Sequence, residues 1–141
     1  MGMTYADITL TNVHDEGNAK SGFIREADIR TVNVTSIVDT GAMSLVITED
    51  ICKELGLSAV DERFARTANG QRVASKVTEP VKIKWKKRFF TGHALVIPGA
   101  ESVLLGVIPL EGMDLMVNPV NQELVGIHGD KEEFLALSCC V

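Results

Sequence analysis

The sequence predicts an all-β protein with one or two short helices, and three features of its 141 residues support this fold class. Apolar residues recur in short runs that alternate with polar residues or are rich in valine and isoleucine, which is typical of strands. Glycine, proline and asparagine separate these runs at short intervals, as the turns of a sheet require. Few segments carry helical start and stop signals. We therefore expect many short strands in one sheet-based domain.

The first part of the chain is expected to contain two strands joined by a loop. Residues 5–12 alternate between apolar and polar side chains, which predicts a half-buried strand. Residues 14–22 are polar and contain two glycines, so we expect a connecting loop in which His14 and Asp15 are solvated. Residues 29–38 are rich in β-branched side chains and form the next predicted strand.

A turn with a single acid follows this second strand. Asp39 ends the β-branched run, and Thr40 and Gly41 separate it from another apolar run at residues 45–47. Moving an ionised carboxylate into apolar surroundings costs several kcal/mol unless it is paired or hydrogen-bonded. Three groups are candidates for holding Asp39: the backbone N–H groups of the turn, the Thr40 hydroxyl, and a second carboxyl that shares its proton.

The next segment has the signals of a short helix. Thr48 suits the N-cap position, because its hydroxyl can accept from the free N–H groups of the first turn. Glu49 and Asp50 favour the positive end of the helix dipole, and Gly56 is placed to end the helix. Cys52 lies on the apolar face, so we expect a packed thiol and not a nucleophile.

The middle of the chain predicts a hairpin over residues 63–78. Asn69 and Gly70 form the favoured pair for a two-residue turn with positive φ at both positions. Pro80 separates the hairpin from residues 81–86, in which lysines alternate with apolar side chains. A strand with a solvated lysine face explains this pattern fully, so the basic run is not interpreted as a nucleic-acid site.

The last third is predicted as short strands separated by turns. Gly106 follows two leucines and is expected to let two backbones approach closely. Residues 130–141 favour neither a helix nor a strand, and both remain open. The other predicted elements are a strand at 94–97, a helical turn at 108–112, a turn at 118–121 and a strand at 124–127.

Composition disfavours several classes of protein. A net charge of −5 argues against a general binder of nucleic acid or anionic membranes. No apolar run approaches the ~20 residues of a membrane span, and the N-terminus lacks the pattern of a secretory signal. The three cysteines form neither a disulfide framework nor a metal-ligand pattern. We expect a cytoplasmic protein without a metal or other cofactor.

Three motifs resemble those of the retropepsin-like, or retroviral-type, aspartic proteases. Residues 39–42, Asp-Thr-Gly-Ala after two apolar residues, resemble the family's active-site motif. Residues 103–106, Val-Leu-Leu-Gly, resemble the segment that closes the half-barrel beneath the catalytic loop. Residues 66–71 resemble the tip of the flap hairpin, which folds over bound peptide. Order and spacing fit one lobe over about residues 5–127, as in a single-domain member of bacterial type.

The resemblance implies one retropepsin-like domain over residues 1–141, with residues 128–141 as a tail of unassigned structure. A two-lobed aspartic protease needs two catalytic loops and about twice this length, and the sequence contains one Asp-Thr-Gly. The second acid must then come from a second chain. The expected assembly is a symmetric homodimer that binds a peptide or protein substrate.

The family's roles transfer to matching positions of this sequence. Asp39 is the expected catalytic residue, and Thr40 and Gly41 are expected to support the pair of acids. Position 43 is commonly polar in the family, so Met43 would lack the usual polar contact with the peptide backbone, which Ser44 is expected to supply. The expected substrate-binding residues are Gly41, Ala42, Met43 and Ser44 from the loop, and Ala68, Asn69 and Gly70 from the flap.

Two carboxyls a few ångströms apart can divide the work of amide hydrolysis. Two carboxyls so close together do not both ionise, so the pair retains one proton. One acid can then activate water while the other protonates the substrate. The resemblance therefore implies an aspartic endopeptidase. Two alternatives stay open: a non-catalytic peptide-binding module, and a dimerisation domain on the same fold. The simplest structural explanation of an isolated Asp-Thr-Gly is an aspartate that caps its own turn.

Overall fold

A computed structural model describes residues 3–67 and 69–129, and this part of the chain is built mainly from strands. The sequence-based prediction of alternating short strands and turns is confirmed. In chain order the elements are β1 (Thr4–Asn12), α1 (Val13–Lys20), a 3-10 turn (Glu26–Asp28), β2 (Thr31–Val38), β3 (Leu45–Ile47), α2 (Glu49–Leu55), β4 (Ala59–Arg66), β5 (Arg72–Trp85), β6 (Arg88–Val96), β7 (Leu104–Leu105), α3 (Val107–Gly112), β8 (Leu115–Asn118) and β9 (Glu123–Gly126).

Seven of these strands form one mixed sheet in the order β1-β2-β7-β3-β6-β5-β4. Because β1 also pairs with β5, the sheet curls until six strands enclose a barrel and β4 extends from its rim. The pairs β2–β7 and β3–β6 are parallel, and the remaining pairs of this sheet are antiparallel. Strands β8 and β9 form a separate antiparallel pair.

The inward-facing side chains of the barrel form one apolar core. Leu10 on β1, Ile47 on β3 and Leu105 on β7 are fully buried within it. On β5, Val81 and Ile83 are buried, whereas the lysines between and after them face outward. The predicted period-two pattern of this strand is therefore confirmed. Burial of each large aliphatic side chain contributes about 1.5–3 kcal/mol, and the sum of these contributions fixes the register of the strands.

Helix α1 replaces the loop that we expected over residues 14–22. The Asn12 side chain accepts from the Asp15 N–H at 3.0 Å and so caps the helix. Asp15 is 6% exposed and binds the Arg30 guanidinium through both carboxylate oxygens, at 2.8 and 3.0 Å. The expectation of a solvated Asp15 is wrong, because a partner fifteen residues away compensates its burial. His14 is exposed and pairs with Glu79 at 2.9 Å.

Helix α2 has the ends that its sequence predicts. The Thr48 hydroxyl accepts from the Ile51 N–H at 3.2 Å, and Gly56 ends the helix with a φ of +65°. Cys52 is half-buried, and its thiol donates to the Leu57 carbonyl at 3.5 Å. Burial raises the pKa of the Cys52 thiol, which keeps it in the unreactive form.

The β4–β5 hairpin has a wider turn than we expected. The Thr67 N–H donates to the Gln71 carbonyl at 2.9 Å, so three residues lie between the paired ends. Gly70 has a φ of +83°, but the bond between Thr67 and Gln71 spans one residue too many for the expected two-residue turn, which is therefore wrong. The Asn69 side chain accepts from the Thr67 hydroxyl and the Gln71 N–H, which stabilises the wider turn. Ala68 lies outside the described residues.

Strand β5 continues through Pro80, where we expected a break. The register with β6 shifts between Val77 and Pro80, and this irregularity accommodates a residue that has no N–H group. The first residue of β6, Arg88, is buried, unlike the outward-facing lysines of β5. Arg88 is 7% exposed and donates to the carbonyl groups of Met113 and Asp114, at 2.9 and 3.1 Å. Its guanidinium thereby joins β6 to the start of the β8–β9 pair.

Candidate active site

Asp39 lies at the point where β2 leaves the barrel, on the loop that leads to β3. Its backbone N–H donates to the Leu105 carbonyl at 3.0 Å, which holds this end of the loop against β7. Its side chain accepts from the Gly41 N–H at 2.9 Å. The Ala42 N–H donates to the Asp39 carbonyl at 3.1 Å and closes the turn. Three candidates for holding Asp39 were the N–H groups of the turn, the Thr40 hydroxyl and a second carboxyl. Within the single chain, the backbone N–H of Gly41 binds the Asp39 side chain.

The other end of the loop is fixed by the segment after β7. The Val107 N–H donates to the Ala42 carbonyl, and the Ile108 N–H donates to the Met43 carbonyl, both at 2.9 Å. Gly106, immediately before Val107, lies directly beneath the loop. A Cβ atom built on Gly106 would lie 2.5 Å from the Ser44 carbonyl oxygen. The close approach that the sequence predicted at Gly106 is therefore confirmed, and it lets the two backbones bond in succession.

The loop faces outward from the single chain. Thr40, Gly41 and Met43 are exposed, and Asp39 is only partly covered. Met43 keeps 66% of its surface exposed, and the neighbouring Ile108 keeps 45%. Two exposed apolar side chains beside an aspartate leave a surface that a second molecule could cover.

The hairpin meets the loop at its base. Ser44 lines the same cavity, of about 230 Å³, as Arg63 on β4 and Val77 on β5. The other predicted flap residues, Asn69 and Gly70, are exposed at the far end of the hairpin, beyond the lining of this cavity. The structure thus brings Ser44, the last of the predicted loop residues, together with the base of the predicted flap.

The sequence did not predict two ion pairs beside the barrel. Asp15 in α1 is joined to Arg30, which lies just before β2, and Arg88 lies 3.6 Å from the buried Asp114 carboxylate. Charged residues that lie far apart in sequence carry no spacing signal, so nothing in the sequence identified these partners. Their role here is to fix elements of the barrel, and none of them lines the cavity beside the loop.

The described residues contain no grouping of three or more histidine, cysteine or acidic side chains that could hold a metal ion. Within the same part of the chain, no helix is long and apolar enough to span a bilayer.

A family model described as "gag-polyprotein putative aspartyl protease" matches residues 25–112. The matched range covers more than half of the chain and contains the Asp39 loop, the β4–β5 hairpin and Gly106. The chain belongs to this family of aspartyl proteases. The resemblance seen in the three sequence motifs is thereby confirmed at the level of the aspartyl protease family.

Solved structures of aspartyl proteases share this fold. The chain is similar to EIAV protease complexed with the inhibitor HBY-793, with a TM-score of 0.54 and 18% identity, over 78% of this chain and 86% of that chain. It also matches a retropepsin-like aspartic protease from Rickettsia conorii, with a TM-score of 0.46 and 18% identity, over 84% and 87% of the two chains. The predicted retropepsin-like, all-β fold is confirmed. A comparison with curated proteins gives no significant match.

Proposed function

We propose that this chain is an aspartic endopeptidase that works as a symmetric homodimer. Each subunit contributes one Asp39, and the two carboxyls together activate the water that hydrolyses a peptide bond. The observation that carries this proposal is the Asp39 loop itself. It is held in place by Leu105 and Gly41, yet it opens toward the outside of the single chain. An aspartate that only capped its own turn would not require a loop that is supported from below and faces outward. The family match to aspartyl proteases also includes this loop.

The two-carboxyl arrangement supplies both halves of acid–base catalysis. A single carboxyl cannot take a proton from water and at the same moment protonate the substrate. Two facing Asp39 carboxyls would share one proton, because like charges at that distance do not both ionise. Bound peptide breaks the symmetry of the pair. One Asp39 then accepts a proton from the attacking water while the other donates its single proton to the carbonyl oxygen. The first Asp39 later passes the proton from water to the leaving amine, and the second regains a proton from the tetrahedral intermediate's hydroxyl as the C–N bond breaks.

The remaining loop residues would position the acids and the peptide. The Thr40 hydroxyl is exposed beside Asp39, where it can bond to the loop of the second subunit. Gly41 holds the Asp39 carboxylate and leaves its own carbonyl for substrate. The outward side chain of Met43 offers an apolar contact, and Ser44 offers the polar one. On the flap, the substrate-binding residues that we propose are Ala68, Asn69 and Gly70.

We also propose that residues 1–141 act as one domain in a reducing compartment, the cytoplasm. The half-buried Cys52 thiol and the absence of a disulfide pattern in the sequence favour this setting. The proposed partners are a second copy of the chain and an extended peptide with apolar residues beside the scissile bond. The proposal includes no cofactor, nucleic acid or membrane.

Replacement of the acid tests the proposed function directly. Purified protein is incubated with a peptide library between pH 4 and 7, and cleavage products are identified by mass spectrometry. We expect wild type to cleave and Asp39→Asn to lose at least about a thousandfold in rate, because the amide can neither take nor give the catalytic proton. The matched control is Asp50→Asn, which removes an exposed carboxylate from α2. Equal cleavage by wild type and Asp39→Asn would rule out the mechanism.

A non-catalytic peptide-binding module is the second candidate, and the exposed Met43 is the observation that favours it. An apolar side chain replaces the family's usual polar residue here, so peptide can bind without the contact that aligns its backbone. This candidate predicts saturable binding of extended peptides without turnover. Binding would be the same for wild type and Asp39→Asn. Turnover by wild type contradicts it.

A further inference from the structure

We propose that Phe90 sets the size of a specificity pocket for a peptide side chain, next to the Asp39 loop. This inference rests on the proposed peptidase function and names one of its substrate contacts. The pocket is the cavity of about 230 Å³ between the loop and the base of the hairpin. Its walls come from Ser44, Leu45, Arg63, Val77, Phe90 and Ile108.

The pocket is attached to the acid loop by backbone bonds. Ile108 is one of its walls, and the Ile108 N–H donates to the Met43 carbonyl on the loop at 2.9 Å. Ser44, the last residue of the loop, forms another wall. A peptide that lies across Asp39 and beneath the hairpin would therefore pass the opening of this cavity.

The Phe90 ring is held in the pocket wall by two glycines. A Cβ atom at Gly92 would lie 2.8 Å from the ring, and one at Gly112 would lie 2.1 Å from it. Real Cβ atoms do not approach other atoms this closely, so both positions must lack a side chain for the ring to occupy its site. Two separate elements, β6 and α3, thus leave room for one aromatic ring, and that ring forms part of the cavity wall.

The surface of the pocket is more apolar than polar. Its two ionisable groups already have partners: Arg63 lies 3.8 Å from the Asp61 carboxylate, and His93 Nδ1–H donates to the Thr78 carbonyl at 2.7 Å. The remaining walls are mainly aliphatic and aromatic. The volume is below the ~300 Å³ of the smallest typical small-molecule sites, so the cavity suits one side chain. We assign it to an apolar side chain of the substrate.

The symmetry of the proposed dimer makes this assignment specific. Each subunit carries one copy of the pocket, and the two copies are related by the axis that relates the two Asp39 residues. The preference for an apolar side chain should therefore occur at two substrate positions, equally far from the scissile bond on either side. A preference at one position alone does not fit two equivalent pockets.

Substitutions at Phe90 test the pocket assignment, and a substitution of the neighbouring Phe89, on the opposite face of the sheet, serves as the control. Phe90→Ala enlarges the cavity and Phe90→Trp fills it. Phe89→Ala is the matched control, because Phe89 is 60% exposed and its ring contacts Lys82 on the outer face of the sheet. Peptide panels that vary one position at a time are scored for kcat/KM. The same panels are scored for binding to each variant in an Asp39→Asn background.

We expect Phe90→Ala to shift the preference among apolar side chains toward aromatic ones by roughly tenfold or more at both symmetric positions. Phe90→Trp should disfavour every large side chain there, and Phe89→Ala should match wild type. Phe90→Leu repeats the test if Phe90→Ala does not fold. A profile unchanged by the Phe90 substitutions, in cleavage and in binding, overturns the pocket assignment. Absence of cleavage by wild type overturns the proposed function instead, and the binding panel still decides the pocket.

Discussion

Gly106 is the residue on which the position of the acid loop depends most directly. Its missing side chain lets the segment after β7 pass beneath the loop, where Val107 and Ile108 donate to loop carbonyls. A Cβ atom at this position would meet three backbone atoms, the nearest at 2.5 Å and the others at 2.7 and 2.8 Å. Backbone cannot rotate out of the way as a long side chain can, so any larger residue must separate the two segments.

Gly106→Ala is therefore expected to destabilise the protein by about 1–3 kcal/mol, the usual cost of overpacking. The measurement is the urea midpoint at one fixed protein concentration, since association changes apparent stability. Gly17→Ala is the control, because open space surrounds Gly17 within helix α1. That substitution should stabilise by about 0.5–1 kcal/mol. A Gly106→Ala midpoint equal to that of wild type would show that the loop is not held in this way.

At the residue scale, the sequence predicted positions whose function is local. Thr48 caps α2, Gly56 ends it, and Gly106 permits a close approach, as each motif indicated. It did not predict the burial of Asp15 or Arg88. A buried charge is tolerated only with a partner, and these partners come from distant parts of the chain.

At the element scale, helix α1 is stabilised by what surrounds it. Its Asn12 cap and first-turn acids favour a helix start, but its eight residues are too few for a stable isolated helix. The Asp15–Arg30 ion pair ties the helix to the chain segment before β2. The hydrogen bonds from Arg30 lower the pKa of the Asp15 carboxyl below its usual value.

Asp15→Asn is expected to cost about 1–3 kcal/mol at pH 7, because it weakens a charge-assisted hydrogen bond at a buried site. Since the pKa of Asp15 is lower in the folded protein, its ionised form stabilises the fold above the usual pKa near 3.8. This stabilisation is lost as the pH falls through the folded pKa. Urea midpoints of wild type and Asp15→Asn should therefore differ at pH 7 and converge below pH 3.8.

The control for this prediction is Asp28→Asn. Asp28 forms the same kind of pair with Arg25, at 3.1 Å, but on an exposed turn. Solvent screens an exposed pair, so this substitution should change the midpoint much less. The role assigned to Asp15 would be contradicted if Asp15→Asn and Asp28→Asn lowered the urea midpoint equally. It would also be contradicted if the effect of Asp15→Asn on the midpoint did not depend on pH.

At the scale of the whole molecule, the barrel leaves its acid loop open to a partner. The loop begins at the end of β2 and ends at β3, and its residues Thr40, Gly41 and Met43 are exposed. One chain provides one Asp39, and the proposed chemistry needs two carboxyls. In the proposed mechanism, catalysis therefore depends on assembly of two chains, and such assembly depends on concentration.

Cleavage per chain should rise with protein concentration over the range in which sedimentation shows monomers becoming dimers. An excess of Asp39→Asn chains should lower the activity of a fixed amount of wild type, because mixed dimers hold one carboxyl and one amide. The same excess of Asp50→Asn chains should raise activity, since those dimers keep both carboxyls. A chain that stays monomeric from nanomolar to micromolar concentration, yet cleaves, would refute the two-chain site.

The sequence by itself determined the β-rich composition, the ends of α2 and the acid between two apolar strands. Each of these rests on local chemistry: side-chain alternation, capping hydrogen bonds, or the conformational freedom of glycine. Only the tertiary structure decided that residues 13–20 form a helix, that Arg88 is buried, and that Phe90 forms the wall of a cavity beside the loop. These features depend on contacts between elements distant along the chain, and closure of the barrel brings those elements together.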